Sequence, residues 1–161
     1  MSSSPEIGAP VPDFTLSGGR WNGESFERAD YTLSAQRGRS LVLAFYPGDH
    51  TSVCTRQLCA YSSGWERFAE LDAEVWGISP QDVDSHEGFA RSQDLRLPLL
   101  ADTGRTVTRK FGVALPGLGL RRSVFLVAPD GTLAWRHIAL LGMTYQPLDT
   151  LIARLAEVNR A

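Results

Sequence analysis

Hydrophobic positions along the chain change their spacing several times, and each change marks an element. From Ser40 to Tyr46 the run SLVLAFY is apolar at almost every position, the pattern of a strand buried on both faces, and Pro47-Gly48 ends it. The period then lengthens. Leu58, Tyr61, Trp65, Phe68 and Leu71 recur every three or four positions, which predicts one helix from about Ser52 to Leu71, opening at Thr51–Cys54. AEVWGISP, from Ala73 to Pro80, returns to a strand pattern. DVDSHEGFARSQDL, from Asp82 to Leu95, reads as a second helix, with Asp82 or Asp84 as its N-cap and acidic residues in its first turn. LPLLAD is a short extended segment, and GRTVTRKFGV a short helix closed near Gly112. RSVFLVAPDGTLAWRHI, from Arg122 to Ile138, predicts two strands joined at a Pro-Asp-Gly turn. A last helix runs from about Pro147 to Val158, with Leu148, Leu151, Ile152, Leu155 and Val158 on one face.

The first forty residues are rich in Gly, Pro and Ser, and the alternation in DFTLSGG suggests a small hairpin or edge strand. Strands and helices thus alternate, with a β-hairpin late in the chain. The order fits an α/β fold of thioredoxin-like arrangement, a central mixed sheet flanked by helices. At 161 residues the chain is expected to form one domain, 1–161, with residues 1–6 as a flexible tail. Sixteen basic and eighteen acidic residues give a net charge of −2, so the basic footprint of nucleic-acid binding is missing. No apolar run reaches the ~20 residues that cross a bilayer, and MSSSPEIGAP has neither a cationic start nor an apolar h-region. The expectation is a cytoplasmic protein, without membrane, whose partner is a small molecule or another protein.

Both cysteines lie in FYPGDHTSVCTRQLC, at Cys54 and Cys59. Two cysteines make no disulfide framework, and a close pair in a reducing compartment points to metal or redox chemistry. His50 invites a metal reading with them, but the spacing matches no common zinc pattern and no fourth ligand is evident. Cys54 falls in the first turn of the predicted helix, where unpaired amides and the positive end of the macrodipole favour a thiolate. Thr51 would set a hydroxyl beside the sulfur and serve as N-cap, while Pro47 fixes the exit from the strand. Lowering a thiol from ~8.5 to ~6 raises its thiolate fraction about thirtyfold, yet a Brønsted slope of ~0.4–0.5 returns about tenfold in nucleophilicity. Fast chemistry therefore needs a donor or cation aimed at the developing charge.

YPGDHTSVCT resembles the Pro-x-x-x-Thr-x-x-Cys signature of the peroxiredoxins, thiol peroxidases built on a thioredoxin-like fold. The resemblance implies Cys54 as peroxidatic nucleophile, Thr51 as the hydroxyl that hydrogen-bonds the peroxide, and Pro47 as a shield over the sulfur. RSVFLVAPDG is similar to the family's Arg-x-x-Phe-Leu segment and points to Arg122 as the cation. Register with Phe125 is expected to turn Arg122 rather than Arg121 toward the site. GAPVPDFTL, LPLLADTGRTVTRKFGV and the PDG hairpin also resemble the family, in the same order.

The resemblance is closest to the peroxiredoxin Q, or bacterioferritin-comigratory-protein, group, in which a second Cys five positions on is the resolving cysteine; Cys59 falls there. It implies an intramolecular Cys54–Cys59 disulfide, reopened by a thioredoxin-like donor, hydrogen peroxide or organic hydroperoxides as substrate, and no metal, haem or flavin. On a continuous helix residues five apart lie about 140° round the axis and ~8.6 Å apart at Cα, beyond the ~7 Å limit of a disulfide, so the helix must open first. Two departures stand out: Ser52-Val53 where the group has Pro-Gly, and Gln57 where it has Glu. One-cysteine peroxiredoxins carry a similar loop, so a one-cysteine cycle stays open beside the two-cysteine one, as does a non-enzymatic redox-sensing or binding module. A general thiol-disulfide oxidoreductase is disfavoured, because four residues rather than two separate the cysteines. His86 and His137 read as ordinary surface or hairpin residues, and Trp21, Trp65, Trp76 and Trp135 as core or interface. The chain is expected as a monomer or homodimer.

Overall fold

A computed structural model describes residues 4–115, 119–139 and 145–160. Nine strands and five α-helices are present among them, with one 3-10 turn over Leu33–Gln36: β1 (Thr15–Trp21), β2 (Phe26–Thr32), β3 (Ser40–Phe45), α1 (Ser52–Ser63), α2 (Trp65–Glu70), β4 (Ala73–Ser79), α3 (Val83–Gln93), β5 (Leu99–Ala101), α4 (Thr106–Lys110), β6 (Ala114–Leu115), β7 (Gly119–Leu120), β8 (Ser123–Val127), β9 (Leu133–Ile138) and α5 (Leu148–Arg160). Seven strands form one sheet in the order β2-β1-β5-β4-β3-β8-β9. β3, β4 and β5 run parallel, and β8 lies antiparallel on the other side of β3. The expected mixed α/β sheet is therefore present, with β3 near its middle.

The continuous apolar run of β3 follows from its place. All six of its residues are buried. Val42 and Ala44 point with Tyr46 into a core shared with Cys54, Leu58 and Tyr61 of α1 and Leu151 and Leu155 of α5. Leu41, Leu43 and Phe45 point the other way, against Trp76, Phe111 and Phe125. Alternate residues thus fill two cores, which is why the strand is apolar at every position after Ser40. Burying Leu151 and Leu155 completely contributes roughly 1.5–3 kcal/mol each and holds α5 on the sheet.

Three elements differ from the pattern reading. The helix expected over Ser52–Leu71 divides at Gly64, where the helix ends and a second begins. A side chain there would meet Leu148 of α5 at 2.7 Å, so packing selects the residue with the poorest helix propensity short of Pro. The heptad-like spacing of Trp65 and Phe68 concealed the break. β6 and β7, a two-residue pair forming a sheet of their own, are too short to leave a period. Asp82 rather than Asp84 caps α3, accepting from Ser85 N at 2.8 Å. Of the expected N-terminal tail, residues 1–3 lie outside the described residues, Pro5 accepts a hydrogen bond from Arg136 Nη1, and Glu6 accepts one from Ala9 N at 3.1 Å.

Gly18 is where β1 crosses closest to β5. A Cβ there would stand 2.3 Å from the Leu99 carbonyl oxygen, a backbone atom that cannot swing aside. Gly18→Ala should cost at least ~1–3 kcal/mol, or several degrees in Tm, by chemical and thermal unfolding. An unchanged midpoint would contradict the β1–β5 packing.

Candidate active site

The site is built at the carboxyl end of β3, where the chain leaves the sheet through Pro47–His50 and enters α1. This loop is pinned from β4 and α3. Gln81 Nε2 donates to the Pro47 carbonyl at 3.3 Å, and its Oε1 accepts from Asp49 N at 3.0 Å. The Asp49 carboxylate accepts from Tyr46 OH at 2.6 Å and from Ser85 Oγ at 2.7 Å, and lies 2.7 Å from His86 Nδ1. His86 Nε2 donates to the Leu100 carbonyl at 2.9 Å. Burial pushes the Asp49 carboxyl up, but the hydrogen bonds from His86, Tyr46 and Ser85 outweigh it and hold the group below its ordinary value. Burial likewise drives Tyr46 far up, so it stays a neutral donor. Beyond this anchor His50 takes a left-handed φ of 63°, and Thr51 stands at the N-cap position of α1 with extended backbone.

Thr51 does not cap with its side chain. Its hydroxyl donates back to the Gly48 carbonyl at 2.9 Å, which leaves the oxygen lone pairs as its remaining capacity. One turn on, Cys54 is fully buried at the inner face of α1. Across the sheet, Arg122 immediately precedes β8 and is only 3 % exposed. Its Nη2 donates to Cys54 Sγ at 3.1 Å and its Nη1 to Gln57 Oε1. Gln57 Nε2 in turn reaches Tyr61 OH at 3.5 Å, and Tyr61 donates to the Gln146 carbonyl at 2.6 Å. Burial pushes Tyr61 up to about 12, so it too stays a donor. Gln57 accepts from the guanidinium without a charge that would compete with the sulfur for it.

Arg122, not Arg121, faces Cys54, but the register argument needs correction. Positions two apart share a face, so Arg122 belongs with Val124 and Leu126, which pack in the core that holds Cys54. Phe125 points to the opposite core. Cys59 lies elsewhere: it is half-buried, with its Sγ 3.9 Å from Gln93 Oε1, and burial pushes its thiol up. Both cysteines are free thiols. The structure thus brings Arg122 into contact with Cys54, sets Pro47 and Thr51 on the stretch that leads into the first turn of α1, and leaves Cys59 on another side of the same helix. His50 is exposed with its ring against Phe89, 5.1 Å between centroids, and no three His, Cys, Asp or Glu among the described residues converge as a metal site.

The AhpC/TSA family matches residues 7–136. The chain belongs to that family. It is 34% identical over 155 residues to Peroxiredoxin Bcp of Bacillus subtilis, covering 91% of this chain and 94% of that one. It is 38% identical over 106 residues to the chloroplastic Peroxiredoxin Q of Triticum aestivum, covering 66% of this chain but 46% of that one, so it spans about half the length of the plant relative. Among solved structures, Mycobacterium bovis AhpC superposes with a TM-score of 0.85 at 20% identity, over 96% of this chain and 93% of that one. A reduced 2-Cys peroxiredoxin of Plasmodium vivax gives 0.87 at 18%, over 96% and 82%. The fold is thioredoxin-like, and this family member is a peroxiredoxin, a thiol peroxidase.

Two residues that pin this peroxiredoxin's loop, Asp49 within it and His86 on α3, were missed in the sequence. His86 is no surface residue: it is fully buried and carries the Asp49 anchor. Its position on an otherwise amphipathic helix gave one signal, since residues 86, 89 and 90 fall on one face. Because the folded Asp49 sits below its ordinary value of 3.8, its stabilising contribution is complete above that value and is lost as pH falls through the lower, folded one. The stability gap between wild type and Asp49→Asn, read as urea midpoints, should therefore be largest near neutrality and shrink below pH 3.8. A gap that is constant or grows with acidity would contradict the anchor.

Proposed function

We propose that Cys54 is the peroxidatic cysteine of a two-cysteine cycle, with Arg122, Thr51 and Pro47 completing its site and Cys59 resolving. The observation that carries this reading is the 3.1 Å hydrogen bond from Arg122 Nη2 to Cys54 Sγ. A buried guanidinium beside the sulfur stands in place to hold the negative charge that moves from sulfur onto oxygen. The hydroperoxide donates its O–H to Thr51 Oγ1, whose own proton is committed to Gly48. The thiolate attacks the nearer oxygen, an S–O bond forms, the O–O bond breaks, and the electron pair leaves on the far oxygen as hydroxide or alkoxide, which takes a proton to become water or alcohol. Half-buried Pro47 limits water at the sulfur.

The product is a sulfenic acid on Cys54. Cys59 then condenses with it, forming the S–S bond and releasing water, after α1 opens at its amino end. Such opening is bracketed by two fixed points: the Asp49 anchor before it and buried Leu58 after it. Between them Ser52 and Arg56 are exposed, and His50 already sits in the sparsely populated left-handed region. A thioredoxin-like protein dithiol restores the thiols by exchange. Hydrogen peroxide and organic hydroperoxides are the substrate class.

Cys54→Ser should abolish peroxide turnover, and Arg122→Lys should slow single-turnover oxidation of Cys54 roughly a hundredfold in stopped flow, since the planar fork toward sulfur and Gln57 is lost. Cys59→Ser should consume one equivalent of peroxide and then fail to cycle with thioredoxin. Turnover by Cys54→Ser would sink the assignment, and unchanged cycling by Cys59→Ser would establish a one-cysteine enzyme.

A further inference from the structure

The resolving position has surroundings that the peroxide step does not use. Cys59 lines a groove of about 460 Å³ whose walls include Ser63 and Glu66 on one side and Gln93 and Asp94 on the other, with Trp65 at its edge. Trp65 is 46 % exposed, one of two large exposed hydrophobic side chains among the described residues. It starts a six-residue helix whose buried anchor is Phe68. Exposed tryptophan beside a reactive group is the kind of residue that anchors a protein partner.

Where the disulfide forms is set by how α1 is held. Its carboxyl half is fixed, with Leu58 and Tyr61 buried, Tyr61 bonded to the Gln146 carbonyl and Ser62 Oγ accepting from Arg96 N at 2.7 Å. Its amino half depends on Cys54 and Gln57, both bonded to Arg122. When the helix opens, Cys54 therefore travels to Cys59, and the S–S bond forms at the groove beside Trp65. Resting on the two-cysteine reading above, we infer that this groove is the docking surface for the protein dithiol that reduces the enzyme, with Trp65 as its anchor and Cys59 Sγ as the atom attacked.

The exchange balances as follows. The first thiolate of the reductant bonds to Cys59 Sγ, the Cys54–Cys59 bond breaks, and its electron pair leaves on Cys54, the sulfur for which Arg122 and the start of α1 wait. The second thiolate of the reductant attacks its own partner sulfur and expels Cys59, which takes up a proton. Two electrons have passed from the dithiol to the enzyme disulfide. Burial pushes the Cys59 thiol up, which makes it the poorer leaving group and the better sulfur to be attacked.

The test uses the full chain, oxidised with one equivalent of hydrogen peroxide, and a thioredoxin whose second active-site cysteine is replaced by serine. After an alkylating quench, peptide mapping should find the mixed disulfide on Cys59 and the alkyl group on Cys54. In steady state with unaltered thioredoxin, Trp65→Ala should lower kcat/KM for thioredoxin roughly tenfold and leave peroxide-driven disulfide formation within twofold, and Trp65→Phe should recover most of the loss. A mixed disulfide on Cys54, or Trp65→Ala indistinguishable from wild type, would overturn this inference alone. Intact mass before the trap is added separates the other failure: no disulfide at that stage overturns the resolving role of Cys59 and the docking surface with it.

Discussion

The contact on which the rest of the molecule turns is the one between Arg122 and Cys54, residues from opposite halves of the chain joined by the sheet. β8 lies antiparallel against β3 with Ser123 opposite Phe45, so the residue before β8 necessarily stands beside the residues that follow β3. Sheet register, fixed by two filled cores, thereby fixes a guanidinium relative to a sulfur. A charged group this deep is costly unless its donors are met, and Cys54 Sγ and Gln57 Oε1 meet two of them.

The contacts that hold α1 are divided along its length. The loop before it is held by Asp49 in a buried cluster with Tyr46, Ser85 and His86, and the half after it by Leu58, Tyr61 and Ser62. The intervening turn is held chiefly through the sulfur site itself. In the proposed cycle, oxidation of Cys54 acts on the very contacts that keep the turn closed, which would couple oxidation to opening without a separate trigger. Gln57 in place of a carboxylate makes that hold weaker than an ion pair would.

Much of this was legible in the sequence because the physics is local. SLVLAFY announced a strand between two cores, and Pro47, Thr51 and Cys54 sit on one loop whose spacing survives any arrangement of the rest. Arg122 was found by motif, although the register reasoning attached to it named the wrong neighbour: parity with Val124 and Leu126, not Phe125, turns it to the site. What stayed hidden depends on contacts distant in sequence. Gly64 breaks the helix because Leu148 of α5 packs over it, and His86 is buried because Asp49 and Leu100, from two other segments, satisfy its ring. Thr51 looked like a side-chain cap by type and position, and the tight loop instead turned its hydroxyl to Gly48.

The most direct measurement is to mix fully reduced protein with one equivalent of hydrogen peroxide, quench within seconds by thiol alkylation, and read intact mass and modified peptides. Loss of two hydrogens with Cys54 linked to Cys59 is the expected result. Two freely alkylated thiols after peroxide exposure would contradict a peroxidatic role for Cys54.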